Sequence, residues 1–218
     1  MSDAAPEADA IRYAVLRKLA SGFRHALMGD LQAMQFSAQL AARLVQTGAD
    51  ANRIAEKLGA LPRQCAATLA TSDSMIAWLQ PDEHATVTLA EGVTRYVKLV
   101  REDRWMREIE VAVELEVPGA RVPETALREL LVVALFALAD AHAEAIDIDI
   151  AARARGDGVE LRLRARPADR EPPPLAAAGH SRALEWRDLE RLADVHAVAC
   201  SCAAGDVRLL FAGATAAA

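Results

Sequence analysis

The side chain best suited to chemistry in this sequence is His25, within the stretch Arg24-His25-Ala26-Leu27-Met28-Gly29-Asp30-Leu31-Gln32. At about 100° per residue in a helix, His25 lies about 160° from both Phe23 and Leu27, which belong to an apolar stripe. We therefore expect the imidazole to face solvent from the middle of a helix. A neutral imidazole is a competent nucleophile near pH 7, so this position suits a phosphoryl acceptor. The alternative is an ordinary surface histidine.

The residues around His25 allow two interpretations each. Arg24 is a candidate to hold a phosphoryl group or an acidic residue of a partner, and the alternative is a solvated helix charge. Gly22 and Gly29 flank His25, although glycine inside a helix costs about 1 kcal/mol relative to alanine. They indicate either close approach by another backbone, such as a docked partner, or local bending.

The remaining histidines and cysteines form no recognisable metal or catalytic motif. The spacing Cys200-Ser201-Cys202 fits no common zinc knuckle, and strand alternation places both sulfurs on one face. With Cys65 they are too few for a disulfide framework, so we interpret all three as small buried residues in a reducing cytoplasm. The sequence contains no convincing Ser-His-Asp set, P-loop or dinucleotide fingerprint.

Two long helices must position His25. Residues 10–46 and 51–79 carry apolar side chains at spacings of three and four, with Gly48 ending the first helix and Asp50 available to cap the second. Pro62 is expected to bend the second helix. Each apolar stripe is narrow, so an antiparallel hairpin alone buries too little. We therefore expect two copies to pair into a four-helix bundle, which makes the protein a homodimer.

We interpret residues 81–85 as a linker, and the sequence after it alternates between helical and strand patterns. Its periodicity predicts helices at 88–107, 123–143 and 184–196, strands at 108–115, 146–152, 159–165, 197–202 and 207–211, and a loop at 167–180. Gly156-Asp157-Gly158 predicts the turn of a hairpin. Helices on one face of a mixed sheet make an α+β fold, a two-layer α/β sandwich. The predicted domains are a disordered tail at 1–9, the helical hairpin at 10–80 and the sandwich at 86–213.

Composition excludes several classes of function. The 218 residues carry a net charge of −6 with no basic tract, which argues against a nucleic-acid partner. The longest apolar run, 130–139, is far shorter than the ~20 residues of a membrane span. The first residues lack the features of a signal peptide. We therefore expect a soluble, cytoplasmic protein that does not contact membrane.

A helical hairpin followed by this order of elements resembles the dimerisation and ATP-binding halves of a sensor histidine kinase. The segment around His25 resembles the phosphoacceptor segment of the sporulation-type histidine phosphotransferases and the citrate-type sensor kinases, sharing Arg24, Met28 and Leu31-Gln32. The resemblance implies that His25 is the phosphoacceptor and that Arg24 assists it. It also implies that a partner contacts the flanking positions Gly22, Met28, Gly29 and Gln32.

Two positions of this segment depart from the family. The acidic residue that usually follows the histidine is Ala26, and the asparagine usually found four residues after it is Gly29. In kinases these residues help to deprotonate and orient the histidine for attack on ATP. Their absence weakens the case for autophosphorylation. Transfer from a phospho-aspartate is less affected, because the receiver supplies the metal and much of the machinery.

Residues 126–142 resemble the kinase helix that carries the asparagine ligands of Mg-ATP. The two asparagine positions fall on Phe136 and Asp140. Phenylalanine cannot coordinate magnesium, whereas Asp140 could do so as an oxygen ligand but would also repel triphosphate. Asp140 is either a relic of the site or the cap of a buried network. Residues 166–170 lack the glycines of the adenine-binding turn, and only Gly179 remains of the glycine-rich phosphate turn. The resemblance therefore implies a degenerate ATPase-like domain without a cofactor.

Together these features predict a histidine phosphotransfer protein of a two-component phosphorelay. It would shuttle a phosphoryl group between the aspartates of response-regulator receiver domains through His25, without binding ATP. Mg²⁺ would enter only through the receiver partner. The alternative, favoured by Ala26 and Gly29, is a non-catalytic pseudokinase that binds and regulates a response regulator or a kinase. An active ATP-dependent kinase is the least favoured interpretation.

Overall fold

The computed structural model describes residues 4–80, 82, 84–101, 103–171, 182–203 and 205–214, without the side chains of 4, 5, 104 and 105. The chain forms two compact units. Residues 20–80 make up one, and Met1–Leu19 together with Pro81–Ala218 make up the other. The smaller unit begins within the first helix, at Ala20, and ends at Gln80, where the predicted hairpin domain at 10–80 also ends.

The smaller unit is a helical hairpin, as the sequence predicts. Helix α1 (Ala4–Gln46) enters it and is followed after a short turn by α2 (Ala51–Leu79). Gly48 adopts a left-handed conformation at φ +65° in the turn, and the Asp50 carboxylate accepts a hydrogen bond from the Asn52 amide at 3.2 Å. Gln64 donates to Ser37 across the pair at 3.4 Å, which fixes the helices as antiparallel. Helix α2 continues through Pro62.

The first turns of α1 correct the predicted tail. The helix begins at Ala4, so residues 4–9 are helical and not a disordered tail. Ala8 and Ile11 are 1 % and 2 % exposed, and Val15 and Leu19 continue the same buried stripe. Small and apolar residues at spacings of three and four thus form a buried face on this segment. The polar residues between them make the segment look like a tail in the sequence.

The larger unit combines helices with a five-stranded mixed sheet. Its elements are β1 (Thr86–Thr88), α3 (Leu89–Val100), α4 (Arg104–Arg107), β2 (Val111–Leu115), β3 (Arg121–Pro123), α5 (Glu124–Ala141), β4 (Ile146–Arg155), β5 (Gly158–Pro167), α6 (Trp186–Val195), β6 (Ala199–Ala203) and β7 (Asp206–Phe211). The strand order is β2-β4-β5-β7-β6. Strand β2 runs parallel to β4 and the other neighbours are antiparallel.

Alternation along the strands separates a core face from a charged face. The buried side chains of the three central strands include Ile148, Ile150, Leu161, Leu163, Val207 and Leu209. The residues between them are largely arginine, aspartate and glutamate, which point to the opposite face. Helix α5 is buried over nearly its whole length, from Thr125 to Ala139, because it lies in the helical layer against this core. The predicted α+β sandwich is confirmed.

Two details differ from the sequence-based prediction. The helix expected at 88–107 is divided, because α3 ends at Val100 and α4 begins at Arg104. Thr88 caps the start of α3 by accepting from the Glu91 amide at 3.3 Å. The short strands β1 and β3, which pair antiparallel, were not predicted. Of the loop expected at 167–180, residues 172–180 lie outside the described residues.

Among the described residues, no helix combines the length and apolarity that a bilayer crossing requires.

Candidate functional site

The hairpin unit presents His25 in the way the helical geometry predicts. His25 lies in the middle of α1 and is exposed, whereas Phe23 on the apolar stripe is 3 % exposed. Within the part of the chain that the structure describes, no side chain or backbone group hydrogen-bonds to the imidazole ring of His25. The imidazole is therefore free to accept an approaching group, and nothing in the described chain orients it.

The flanking positions are mostly exposed as well. Arg24, Gly29 and Gln32 are exposed, and Met28 is 50 % exposed although it is large and apolar. A β-carbon added at Gly29 would meet no atom within 4 Å, so packing within this chain does not require glycine there. Gly22, by contrast, is buried. The four exposed residues border His25 on an open helix surface, whereas Gly22 does not belong to that surface.

The larger unit holds the two positions that the resemblance assigns to magnesium ligands. Phe136 and Asp140 lie on α5, one helical turn apart, and both contact Lys18 of α1. The Lys18 ammonium lies 5.3 Å from the centre of the Phe136 ring and 3.0 Å from Asp140 Oδ2. The Lys18 and Asp140 side chains are only 11 % and 17 % exposed. A cation of the chain itself thus lies against these two positions.

Asp140 has a second contact that explains its presence in an apolar helix. Its Oδ2 accepts a hydrogen bond from the Leu184 amide at 2.8 Å, just before α6 begins. The carboxylate therefore ties α1 and the segment before α6 to α5, which is the capping role that the sequence left open. A cavity of about 270 Å³ beside it is lined by described residues that include Ala137 and Trp186. Its volume is below the roughly 300–1,000 Å³ of typical small-molecule pockets.

A buried charge cluster that the sequence analysis missed anchors the start of α1. The Glu129 side chain on α5 is fully buried, and Arg12 donates to both of its oxygens at 2.9 and 3.1 Å. His196 Nε2 lies 2.9 Å from the same carboxylate. Burial by itself raises the pKa of Glu129, but the hydrogen bonds from His196 and Arg12 and their charges outweigh it, so the pKa is lowered. Glu7 also forms an ion pair with Arg191 of α6.

The cysteines depart from the predicted burial. Cys65 is exposed, and Cys200 and Cys202 are half-buried on β6. The prediction that the last two sulfurs share one face is confirmed, because their Sγ atoms lie 3.6 Å apart. Among the described residues, no three histidine, cysteine, aspartate or glutamate side chains come together in a way that holds a metal ion.

Comparison with known proteins yields matches in structure alone. No protein-family model and no curated protein matches the sequence. A bacterial phosphotransferase aligns over 96 % of this chain and 98 % of its own, with 13 % identity and a TM-score of 0.39. A histidine kinase from Burkholderia phymatum STM815 aligns over 90 % and 95 %, with 16 % identity and a TM-score of 0.42. The Acinetobacter baumannii histidine kinase AdeS aligns over 86 % and 97 %, with 11 % identity and a TM-score of 0.43. At these identities and scores, none of the matches bears on the chemistry of this chain.

Proposed function

We propose that this protein is a histidine phosphotransfer protein of a two-component phosphorelay, with His25 as the phosphoryl acceptor. The observation that carries the proposal is the exposed, unpartnered imidazole of His25 within the described residues, held in the middle of a continuous helix of an antiparallel hairpin. A receiver domain's phospho-aspartate can reach such a group in line, because no side chain of the described hairpin engages it. Arg24 beside it supplies a cation for the transferred group.

The surroundings of Lys18 support transfer without ATP. In the resemblance, the positions of Phe136 and Asp140 ligate Mg-ATP, and here both contact the Lys18 ammonium. The phenyl ring offers magnesium no oxygen ligand. The aspartate is already engaged by Lys18 and by the Leu184 amide. The phosphoryl group would therefore come from a protein donor, and Mg²⁺ would be held by the receiver.

The exposed apolar side chains of the hairpin support a homodimer as part of this proposal. Leu58, Leu69 and Ile76 of α2 are 46, 64 and 51 % exposed, and they recur at helical spacings that place them on one side. Within one chain this stripe stays open to solvent. A second copy presents the same stripe, so a symmetric pairing of two hairpins would cover both.

A second candidate function is a non-catalytic pseudokinase that binds and regulates a response regulator or a kinase. It is favoured by Ala26 and Gly29, which stand where the family has an acidic residue and an asparagine. Consistent with this difference, His25 has no described hydrogen-bond partner that would orient its ring. In this case the surface around His25 would bind a receiver without accepting its phosphoryl group.

Phosphoryl transfer from labelled receiver domains distinguishes the two functions. Receiver domains from the same organism are phosphorylated with labelled donor and mixed with wild-type protein, with His25→Ala and with His84→Ala. His84 is an exposed histidine of the linker and serves as the matched control. Acid-labile, base-stable label is expected on wild type and on His84→Ala, and none on His25→Ala.

Three other results would change the conclusion. Label on His25→Ala would show that a different residue accepts the phosphoryl group. Complex formation with a receiver, with no label on any of the three proteins, would refute phosphotransfer and leave the pseudokinase function. Saturable binding of ATP at micromolar concentration would contradict the proposal that the nucleotide site is lost.

A further inference from the structure

The pair Cys200 and Cys202 lies at the margin of the larger unit, far along the chain from the proposed phosphoryl acceptor. Among the described strands, β6 lies at the edge of the sheet and pairs with β7 alone. Cys200 and Cys202 lie opposite Leu209 and Val207. Both of these partners are fully buried, so the two thiols share the inner face of the sheet at its edge. Because both cysteines are half-buried, small molecules can reach them without unfolding of the core.

The two sulfurs are close enough to act as one group. Their Sγ atoms are 3.6 Å apart, within hydrogen-bond distance for a thiol and a thiolate. This hydrogen bond is the main reason that the pKa of Cys200 is raised and the pKa of Cys202 is lowered. Burial and the carboxylates of Glu190 and Asp194 on α6 raise the pKa of Cys200 further. Ionisation is therefore easier at Cys202 than at Cys200, with Cys200 as the hydrogen-bond donor to the Cys202 thiolate when it forms.

We propose that Cys200 and Cys202 form a reversible dithiol–disulfide site that exchanges with low-molecular-weight disulfides such as oxidised glutathione. The geometry supports closure of the bond. Residues two apart in a strand have Cα atoms about 6.6 Å apart, since each residue advances about 3.3 Å. That separation lies at the upper end of the roughly 4.4–6.8 Å range of disulfides, so the bond forms with strain and is readily reduced.

The exchange proceeds in two steps that conserve atoms and electrons. The Cys202 thiolate attacks one sulfur of the low-molecular-weight disulfide, forms a mixed disulfide and releases one thiolate. Cys200 then gives up its proton and attacks Cys202 Sγ, which forms the intramolecular disulfide and releases the second thiolate. Two electrons pass from the cysteine pair to the reagent, which leaves as two thiolates, and the proton released by Cys200 is taken up by one of these thiolates or by solvent.

Peptide mapping of the oxidised protein tests this site. The full-length Cys65→Ser protein, which lacks the exposed thiol of the hairpin, is equilibrated in buffers of reduced and oxidised glutathione, quenched with acid and analysed by mass spectrometry. The expected product is a peptide with a Cys200–Cys202 disulfide and no attached glutathione. In the Cys200→Ser background we expect glutathione to remain attached to Cys202.

Rates of alkylation provide a second measurement, which does not require the Cys200→Ser substitution. In the reduced Cys65→Ser protein near pH 7, Cys202 should react at least about tenfold faster than Cys200, because thiolate reacts and thiol does not. Separate glutathione adducts on both cysteines of the Cys65→Ser protein would overturn the proposal. So would equal alkylation rates, or reaction of either cysteine only after denaturation.

Discussion

The charge cluster around Glu129 gives a quantitative test of how the first turns of α1 are held. We predict that Glu129→Gln lowers the free energy of unfolding at pH 7 by about 3 kcal/mol, because removal of one member of a buried charge pair typically costs about 3–5 kcal/mol. The carboxylate is fully buried and Arg12 contacts both of its oxygens. Glutamine keeps the shape of the side chain and one acceptor oxygen, which places the loss at the lower end of that range.

The effect should depend on pH in a defined direction. The pKa of Glu129 is lowered in the folded protein by the hydrogen bonds of His196 and Arg12, which outweigh its burial. The ionised carboxylate therefore contributes stability above the unfolded pKa of about 4.3, and this contribution disappears as the pH falls through the lower folded pKa. The difference between wild type and Glu129→Gln should therefore shrink as the pH falls below about 4.3.

Equilibrium unfolding in urea, followed by circular dichroism, measures this difference in the free energy of unfolding. The slope of that free energy against urea concentration should be the same in wild type and in the variant. Glu114→Gln is the matched control, since Glu114 is exposed on β2, and its effect should stay within about 0.5 kcal/mol. A loss below about 0.5 kcal/mol for Glu129→Gln, or a difference that grows on acidification, would refute the assigned role of this cluster.

Other positions of the larger unit offer simpler tests. A β-carbon at Gly158 would lie 2.3 Å from the Phe211 carbonyl oxygen, so Gly158→Ala should cost more than about 2 kcal/mol in thermal unfolding. Gly156→Ala has no such neighbour but has φ +62°, and should cost only about 1 kcal/mol. Thr88→Ala should lose about 1 kcal/mol of stability with the cap of α3, whereas Thr88→Asp should retain most of it. Burial, together with a hydrogen-bonded carboxylate, raises the pKa of Tyr96 to about 12, so an ultraviolet pH titration should show a late phase that Tyr96→Phe removes.

Periodicity predicts those elements in which the buried residues recur at regular spacings within a short stretch of sequence. Alternation of apolar residues predicts β4 and β5, and the glycines around Asp157 predict the turn between them. Helical spacing likewise predicts α5 and the exposure of His25. Strands β1 and β3 were beyond this reasoning, because three residues are too few to establish an alternation.

The contacts of the candidate site could not be predicted, because they join residues far apart in the sequence. Arg12 and Glu129 are 117 positions apart, and Lys18 and Asp140 are 122 apart. No local pattern indicates which charge meets which. The sequence identified Asp140 as unusual in an apolar helix but not its partners. The sequence likewise did not predict that α1 begins at Ala4, because the buried residues Ala8 and Ile11 lie among charged neighbours.

The larger unit is built from two segments of the chain that the helical hairpin separates, and this has a consequence for synthesis on the ribosome. The segment up to Leu19 is made long before α6, yet it belongs to the same unit, and Glu7 pairs with Arg191 of α6. At translation rates of about 5–20 residues per second, Arg191 follows Glu7 roughly ten seconds or more later. During this interval α2 can already pair with α1, while Glu7 has no partner on α6. The contact between the start of α1 and α6 is therefore made only after the helical hairpin and most of the sheet have been synthesised.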